Sequence, residues 1–406
     1  MNTPIVDFIR NYNEKGFSRF HMPGHKGKSF LGIEKYDITE IDGADVLYSA
    51  NGIINKSENN ASSLFASAHS FYSAEGSTLS IKAMLSLVCS ECGEEKPLIL
   101  AARNVHKAFI YAAALIDFRI QWIYGEESDH LCKCTVTAEK VKSQLALCQK
   151  KPAAVYITSP DYLGNIADIK GISKVCDEEN IPLVVDNAHG AYLAFLNENM
   201  HPINLGASMC CDSAHKTLPC LTGGAYLHVA EKAKHYCKNA REHLALFAST
   251  SPSYLIMQSL DLCNRYISES YPEKLSQAQE KTCELKNTLI SEGFVLSGSE
   301  PLKITVDCNE YGYDGEEVHQ YLLNKGISCE YYDRQYIVFM LSPENSDEDY
   351  SKLSEALLSL EKRPPIITEA PTVTEYAVSS VTPRKALFSK RETVALSDAE
   401  GRICAD

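Results

Sequence analysis

The feature that most constrains the fold is a regular alternation of short apolar runs with amphipathic stretches between residues 97 and 229. The apolar runs are rich in Val, Ile and Leu and are too short for helices, which is typical of strands buried on both faces of a sheet. We predict strands at 97–102, 119–124, 153–158, 182–186, 209–211 and 224–229, and helices at 104–116, 137–150 and 169–179. The pattern therefore predicts an α/β fold with a mostly parallel, seven-stranded type of sheet covered by helices.

The rest of the chain divides by composition and period. Residues 231–291 have an almost wholly helical pattern, and a second α/β pattern follows with strands at 303–306 and 336–341 and helices at 315–324 and 347–360. After Arg363 the composition shifts to Pro, Thr, Ser and Val. We predict an N-terminal arm (1–50), a large domain (51–295), a small α/β domain (296–363), and a linker with the start of a truncated C-terminal domain (364–406).

Charge and targeting signals exclude several classes of function. The formal net charge is −14, which would repel a phosphate backbone, so nucleic acid is not an expected partner. The first residues lack the apolar core of a signal peptide, and the longest apolar stretch, Ala108–Ile116, is far shorter than the roughly 20 residues that cross a bilayer. We expect a cytoplasmic protein with no membrane partner.

The 15 cysteines are odd in number and scattered, which argues for reduced thiols rather than a disulfide framework. Cys89 and Cys92 have CxxC spacing, and Cys132 and Cys134 form a CxC pair. These four could supply a zinc site. Nothing near them resembles a small metal-stapled module, so we predict no metal.

Two segments suggest a cofactor site at the carboxyl ends of the strands, where α/β sheets bind ligands. Asp186 ends the strand at 182–186, and Lys216 lies in the segment Ser213-Ala214-His215-Lys216-Thr217, about thirty residues later. Taken singly, the aspartate fits a helix cap and the lysine a surface position. Together they match the need of pyridoxal-phosphate enzymes for a lysine that holds the aldehyde and a carboxylate that keeps the pyridine nitrogen protonated.

The sequence also offers candidates for a phosphate site and for a group that stacks on the cofactor ring. Gly76, Ser77 and Thr78 precede a helical pattern and the first predicted strand, and they offer hydroxyls and free N–H groups at a helix start. An ordinary Ser/Thr helix cap is the alternative. His106 directly follows the strand at 97–102, so its imidazole could stack on the cofactor ring, although a lone histidine is more often structural.

The chain resembles the major domain of the bacterial ornithine/lysine/arginine decarboxylases, which have the aspartate-aminotransferase fold (pyridoxal-phosphate fold type I). The matching motifs run almost end to end, and the PGHKG start and the SxHKT lysine segment are the most specific. They lie at residues 21–27, 76–78, 103–107, 158–164, 186–189, 213–217, 250–254 and 326–330.

The resemblance implies a role for each matching residue. Lys216 would hold the cofactor covalently, and Asp186 would pair with the pyridine nitrogen. Lys216 or His215 would deliver the proton that completes the reaction. The remaining roles are phosphate binding by Gly76, Ser77, Thr78, Ser213 and His215, ring stacking by His106, a place beside the ring for His189, and recognition of the distal cation of a basic amino acid by Glu330.

The resemblance also implies removal of CO2 from arginine, lysine or ornithine, and a homodimer in which segments 21–27 and 250–254 are candidate interface elements. Asn187 departs from the family pattern, which usually has Glu there, and the family's C-terminal domain is expected to be cut short near residues 383–388. Two alternatives stay open. One is another reaction on the same fold, such as transamination or C–C bond cleavage, and the other is a catalytically weak, cofactor-binding regulatory subunit.

Overall fold

A computed structural model of the chain describes residues 1–125, 130–367 and 380–402. The α-helices are α1 (Pro4–Glu14), α2 (Ile53–Leu64), α3 (Gly76–Cys92), α4 (Lys107–Ile116), α5 (Ala138–Ala146), α6 (Ile169–Glu178), α7 (Ala214–Thr217), α8 (Ala240–Ala245), α9 (Tyr254–Glu269), α10 (Tyr271–Ser291), α11 (Gly315–Asn324), α12 (Asp347–Leu358) and α13 (Pro383–Phe388). The strands are β1 (His69–Ser73), β2 (Leu98–Ala102), β3 (Arg119–Ile123), β4 (Ala154–Thr158), β5 (Leu183–Asp186), β6 (Met209–Asp212), β7 (Ala225–Val229), β8 (Val295–Ser297), β9 (Lys303–Asp307), β10 (Tyr331–Tyr332) and β11 (Tyr336–Met340).

The larger sheet has seven strands in the order β1-β7-β6-β5-β4-β2-β3. Only β7 is antiparallel to its neighbours, and the other six strands share one direction. The predicted α/β class with a mostly parallel sheet is therefore confirmed. Thr158 on β4 is in register with Asp186 on β5, and Asp186 with Cys211 on β6, so the carboxyl ends of three central strands meet at one edge.

Each of the six strands predicted for this sheet is present, and each differs from the prediction by one residue at one end. The sequence missed the seventh, β1, because its adjacent aromatic pair is flanked by two serines and a histidine, which leaves no apolar run. Those serines are buried, and the hydroxyl of Ser70 is bonded to Nδ1 of His228 on β7 at 2.7 Å. The prediction that Gly76 precedes the first strand is thus wrong, since β1 lies directly before it.

Helices cover both faces of this sheet. On one face, α3 and α4 pack their apolar side chains on Val184, Met209 and Leu227, and the side chain of Asp186 points to the same face as that of Val184. On the other face, α6 packs on Val155, Val185 and neighbouring residues. The face that carries α3 and α4 is therefore the one that presents Asp186 at the edge of the sheet.

A second, antiparallel sheet has the order β10-β11-β9-β8. It packs on α10, α11 and α12 through a separate apolar core. The predicted strands 303–306 and 336–341 correspond to β9 and β11, whereas the short strands β8 and β10 were not predicted. The domain boundaries given above stay predictions.

The two ends of the described chain dock on the larger sheet's helices. The carboxylate of Asp261 accepts the backbone N–H groups of Ile5 and Val6 at 2.9 and 3.1 Å, which fixes the positive end of α1. The guanidinium of Arg384 on α13 donates to the carbonyl of Ala114 at 2.9 Å, near the end of α4. Within the described residues, no helix combines the length and apolarity that a membrane span needs.

Candidate active site

Asp186 is held at the end of β5 by donors from three directions. Its Oδ2 accepts the hydroxyl of Tyr156 at 3.1 Å, and its Oδ1 accepts the backbone N–H of Ala188 at 3.2 Å and the thiol of Cys211 at 3.6 Å. The side chain is only 2% exposed. Because two carboxylate oxygens offer about four lone pairs, one position remains for a further N–H donor.

Lys216 lies at the end of α7, with Nζ 3.0 Å from Nε2 of His189. Burial lowers the pKa of Lys216, and the negative charges of Asp186 and Glu330 only partly oppose this. The pKa of His189 lies well below its ordinary value, because burial and the charges of Lys303 and Lys216 disfavour the imidazolium. The site therefore pairs a readily deprotonated amine with a neutral imidazole.

The start of α3 meets the segment before Lys216. Ser213 donates its hydroxyl to Oγ of Ser77 at 2.7 Å, and both side chains are buried. The imidazole of His215 donates from Nδ1 to the carbonyl of Gly224 at 2.9 Å, and its Cε1 would lie 4.0 Å from a Cβ on Gly76. These hydroxyls, together with Thr78 and the free N–H groups of the first turn, form a place for an anion.

His106 is the N-cap of α4, where its Nδ1 accepts the N–H of Ala108 at 3.2 Å. The ring is exposed, yet its pKa is lowered by desolvation, which outweighs the opposing charge of Asp186. His106 is close enough to Asp186 and Lys216 for their charges to act on its pKa. The cap leaves the flat face of the imidazole available for a planar ligand.

Glu330, predicted for substrate recognition, precedes β10 and is exposed rather than buried. The hydroxyl of Tyr162 donates to its Oε1 at 3.1 Å, and the Tyr162 ring packs edge-on against His189 with centroids 5.1 Å apart. Tyr162 thus connects Glu330 to the residue beside Lys216. A cation at Glu330 would keep part of its hydration.

The two segments predicted for a subunit interface differ in how they are held. Residues 21–27 form turns at the surface, where Met22 is 64% exposed, and residues 250–254 lead into α9. The hydroxyl of Tyr254 donates to the carbonyl of Asp45 at 2.7 Å, which joins this second segment to the arm. Their role in an interface stays a prediction.

The four cysteines considered for zinc are free and lie apart in the fold. Cys89 and Cys92 are on α3, whereas Cys132 and Cys134 are in the segment after β3. Cys89 belongs to the core beneath α3, and Cys134 packs on the opposite face of the sheet.

One group of potential metal ligands is found among the described residues, namely His201, Cys210 and Asp212. The carboxylate of Asp212 is already occupied, because its Oδ2 receives Nε2 of His201 at 2.9 Å and of His228 at 3.1 Å. Burial opposes its ionisation, but the two histidines hold the pKa of Asp212 below its ordinary value. Asn187 donates to Oδ1 at 2.7 Å, so this departure from the family pattern serves the hydrogen-bond network behind β5.

Sequence reasoning missed three residues of the site: Tyr156, Tyr162 and Lys303. Tyr156 lies in a buried strand, where a tyrosine hydroxyl requires a hydrogen-bond partner, and that partner is Asp186. Lys303 opens an apolar strand, and a lysine in such a run signals a buried, paired charge. These two signals were present in the sequence, whereas the position of Tyr162 depends on the loop after β4.

Comparison with known proteins decides the family. Residues 3–306 match the model of the Orn/Lys/Arg decarboxylase major domain. This chain belongs to the Orn/Lys/Arg decarboxylase family. It is 30% identical to the uncharacterized protein YaaO of Bacillus subtilis, in a match that covers the whole of this chain and 88% of YaaO. It is 27% identical to an arginine decarboxylase of Bacillus subtilis, in a match that covers the whole of this chain and 87% of that protein.

Solved structures show the same fold. The lysine decarboxylase LdcF of Francisella novicida superposes with a TM-score of 0.74 at 18% identity, and the match covers 87% of this chain and 59% of that one. An alanine–glyoxylate aminotransferase of Nostoc superposes with a TM-score of 0.61 at 17% identity, covering 75% of this chain and 86% of that one. The family's cofactor is pyridoxal phosphate, and the family members are decarboxylases.

The residues present fit that cofactor. Asp186 has an acceptor position left for a pyridine N–H, the start of α3 offers an anion site, and Lys216 offers a buried amine. In addition, the hydroxyls of Thr158 and Thr217 are buried without a hydrogen-bond partner among the described residues. Thr158 shares its sheet face with Tyr156, the donor to Asp186, so an orphaned hydroxyl lies on the side of the sheet where a polar ligand would bind.

Proposed function

We propose that the chain removes the α-carboxylate of arginine, lysine or ornithine as CO2 and releases the corresponding amine. The observation that carries this proposal is the convergence of Asp186, Lys216 and the hydroxyl-lined start of α3 on one crevice. Membership of the decarboxylase family supports the reaction type. The similarity to arginine decarboxylases and to lysine decarboxylase structures supports a basic substrate.

Bound in this crevice, pyridoxal phosphate would supply an aromatic ring that accepts the electron pair left on the substrate when CO2 departs. Asp186 would hold a proton on the ring nitrogen by direct charge pairing, in a site where burial strengthens that pairing. Ser77, Thr78, Ser213 and His215 would bind the phosphate. His106 would cover one face of the ring and keep water from it.

Lys216 would have two tasks. Its amine would hold the cofactor between turnovers, which requires the neutral form, and burial supplies this by lowering the pKa. When free of the cofactor, Nζ would take up the proton that the substrate's ammonium group gives up, and would deliver that proton to the substrate Cα. His215, the neighbouring residue on α7, is the alternative donor.

We assign the recognition of the distal cation to Glu330. Its carboxylate lies on the far side of Tyr162 from His189, and its charge reaches Lys216. A carboxylate partner offsets the cost of removing an ammonium or guanidinium from water. The length of the substrate would decide how well its cation reaches this position.

We further propose a cytoplasmic homodimer. Large apolar side chains of the arm are highly exposed in the single chain, among them Phe20 (94%), Phe30 (81%) and Leu31 (84%), and a second copy of the chain would cover them. Light scattering on the purified protein tests this directly. A mass of twice 45.0 kDa is expected, and a monomer mass at micromolar concentration would exclude the dimer.

The test of the reaction is incubation of the cofactor-loaded protein with arginine, lysine and ornithine separately, with release of CO2 and formation of the amine measured together. We expect CO2 and amine in equal amounts from at least one of the three, and neither product from Lys216→Ala. Formation of a keto acid without CO2 would identify a transaminase instead. A protein that binds the cofactor but converts none of the three would be a binding subunit.

A further inference from the structure

Lys303, on β9, reaches from the second sheet into the crevice of the first. Its side chain is 1% exposed. Nζ lies 2.6 Å from Oε2 of Glu300, 3.3 Å from the carbonyl of Asp161 and 3.4 Å from Nδ1 of His189. The ammonium thus has three neighbours, and one of them is the imidazole that contacts Lys216.

The chemistry of these groups fixes the direction of each hydrogen bond. An ammonium has three hydrogens and no lone pair, so each of its neighbours must be an acceptor. Nδ1 of His189 must therefore be unprotonated. Since burial and the adjacent lysine charges hold the pKa of His189 well below its ordinary value, the imidazole is neutral and its single proton lies on Nε2.

The other end of the imidazole then faces Lys216 as a donor. Nε2 is 3.0 Å from Nζ of Lys216, and an Nε2–H can be accepted only by an amine that keeps its lone pair. The reverse arrangement, with Nδ1–H, would point a proton at the ammonium of Lys303. Both contacts of His189 are therefore satisfied by one arrangement, in which Nδ1 is unprotonated, Nε2 carries the proton and Lys216 is a neutral amine.

We propose that Lys303 is a positioning residue, which fixes the proton of His189 on Nε2 and thereby presents a hydrogen-bond donor to Nζ of Lys216. The inference rests on the proposed function, because it concerns the same lysine. Its consequence is that the amine, when free, is held in one orientation as the neutral nucleophile. Glu300 balances the charge of Lys303 inside the protein. The Lys303 ammonium is thus a hydrogen-bond donor that the second sheet contributes to the site.

The position of this proton can be measured by nitrogen NMR. Protonated and unprotonated ring nitrogens of a neutral imidazole have different chemical shifts, so the full, cofactor-loaded chain labelled with ¹⁵N-histidine reports the tautomer of His189. His189→Gln assigns the signals. We expect a protonated Nε2 and an unprotonated Nδ1 in the unsubstituted protein.

Substitutions then test the part played by Lys303. Lys303→Met should reduce the ratio of the Nε2–H form to the Nδ1–H form by about tenfold, the effect of losing a hydrogen bond to a charged group. The single substitution leaves the buried carboxylate of Glu300 without a counter-charge. The double variant Glu300→Gln/Lys303→Met removes both charges and serves as the companion to it. Lys303→Arg keeps the charge and the donors, and should keep the Nε2–H form.

Lys286→Met is the matched control. Nζ of Lys286 is a half-buried ammonium that donates to the carbonyl of Glu300 at 2.7 Å. The substitution therefore removes a second ammonium that contacts Glu300 and leaves the contact of Lys303 with His189 in place. The tautomer should not change in this variant. An Nδ1–H form in the unsubstituted protein, or the same strong Nε2–H preference in the double variant, would overturn the proposal. The readout needs no turnover, so its failure is distinct from a failure to release CO2.

Discussion

Replacing Asp186 with asparagine removes one negative charge from the centre of the site and leaves the shape of the side chain unchanged. The carboxylate is 2% exposed and is oriented by Tyr156 and Ala188 at 3.1 and 3.2 Å, so it is a preorganised charge in a site with little water. Removal of such a group costs on the order of 10²–10³ in kcat, about 2.7–4 kcal/mol of transition-state stabilisation. We expect a loss of that size in Asp186→Asn.

The effect on folding should be smaller. An asparagine keeps one acceptor oxygen for the Ala188 N–H, and its NH2 group can donate to the phenol oxygen of Tyr156, but the hydroxyl proton of Tyr156 then has no acceptor. An unsatisfied buried donor costs about 1–3 kcal/mol. The variant should therefore fold with a reduced thermal stability, and it should still bind the cofactor through Lys216.

The assay is CO2 release at saturating substrate and cofactor, with thermal unfolding measured on the same samples. Tyr156→Phe is the matched control, since it removes the hydroxyl on Oδ2 and leaves the charge in place, and its loss of activity should stay below about tenfold. If Asp186→Asn retained activity within about threefold of the unsubstituted protein, or if Tyr156→Phe were equally damaging, the charge of Asp186 would not have the role described.

Two further predictions concern pH and substrate binding. The pKa of His189 is lowered by burial and by the nearby lysines, so below about pH 6.5 the unfolded chain binds a proton that the folded chain does not. The free energy of unfolding should therefore fall as the pH decreases below about 6.5, and it should fall less in His189→Gln. Thermal unfolding of both proteins at about pH 7.5 and about pH 5.5 measures the difference. A variant that loses as much stability as the unsubstituted protein would contradict this. Glu330→Gln should raise KM for the basic amino acid by about tenfold and change kcat little, because the distal cation is bound alike in the ground and transition states. A fall in kcat with unchanged KM in steady-state kinetics would show that Glu330 acts on the chemical step instead.

The strands that the sequence predicts well are those whose burial is uniform. β4 and β5 are buried almost throughout, so their Val, Ile and Leu runs identify them without reference to the rest of the fold. β1 was missed because its buried serines are satisfied by partners far away in sequence, such as His228, and no local pattern contains that information. The two-residue strand β10 exists through its pairing with β11 alone.

The candidate site follows the same division. Asp186 and Lys216 could be proposed from sequence because each comes at the end of a recognisable element, and parallel strands bring such ends together. Lys303 could not be placed, because its contact with His189 crosses from the second sheet to the first, and only the packing of the two sheets determines that distance. The exposure of Glu330 likewise depends on how β10 lies beside Tyr162.

The most direct measurement is to reduce the cofactor-loaded protein with borohydride, digest it and locate the retained cofactor by mass spectrometry. Pyridoxyl phosphate on the peptide that contains Ser213-Ala214-His215-Lys216, with the added mass on the lysine, is the expected result. If the label were found on Lys303 or another lysine, or if the protein retained none, the crevice between β5 and α7 would not be where this chain holds its cofactor.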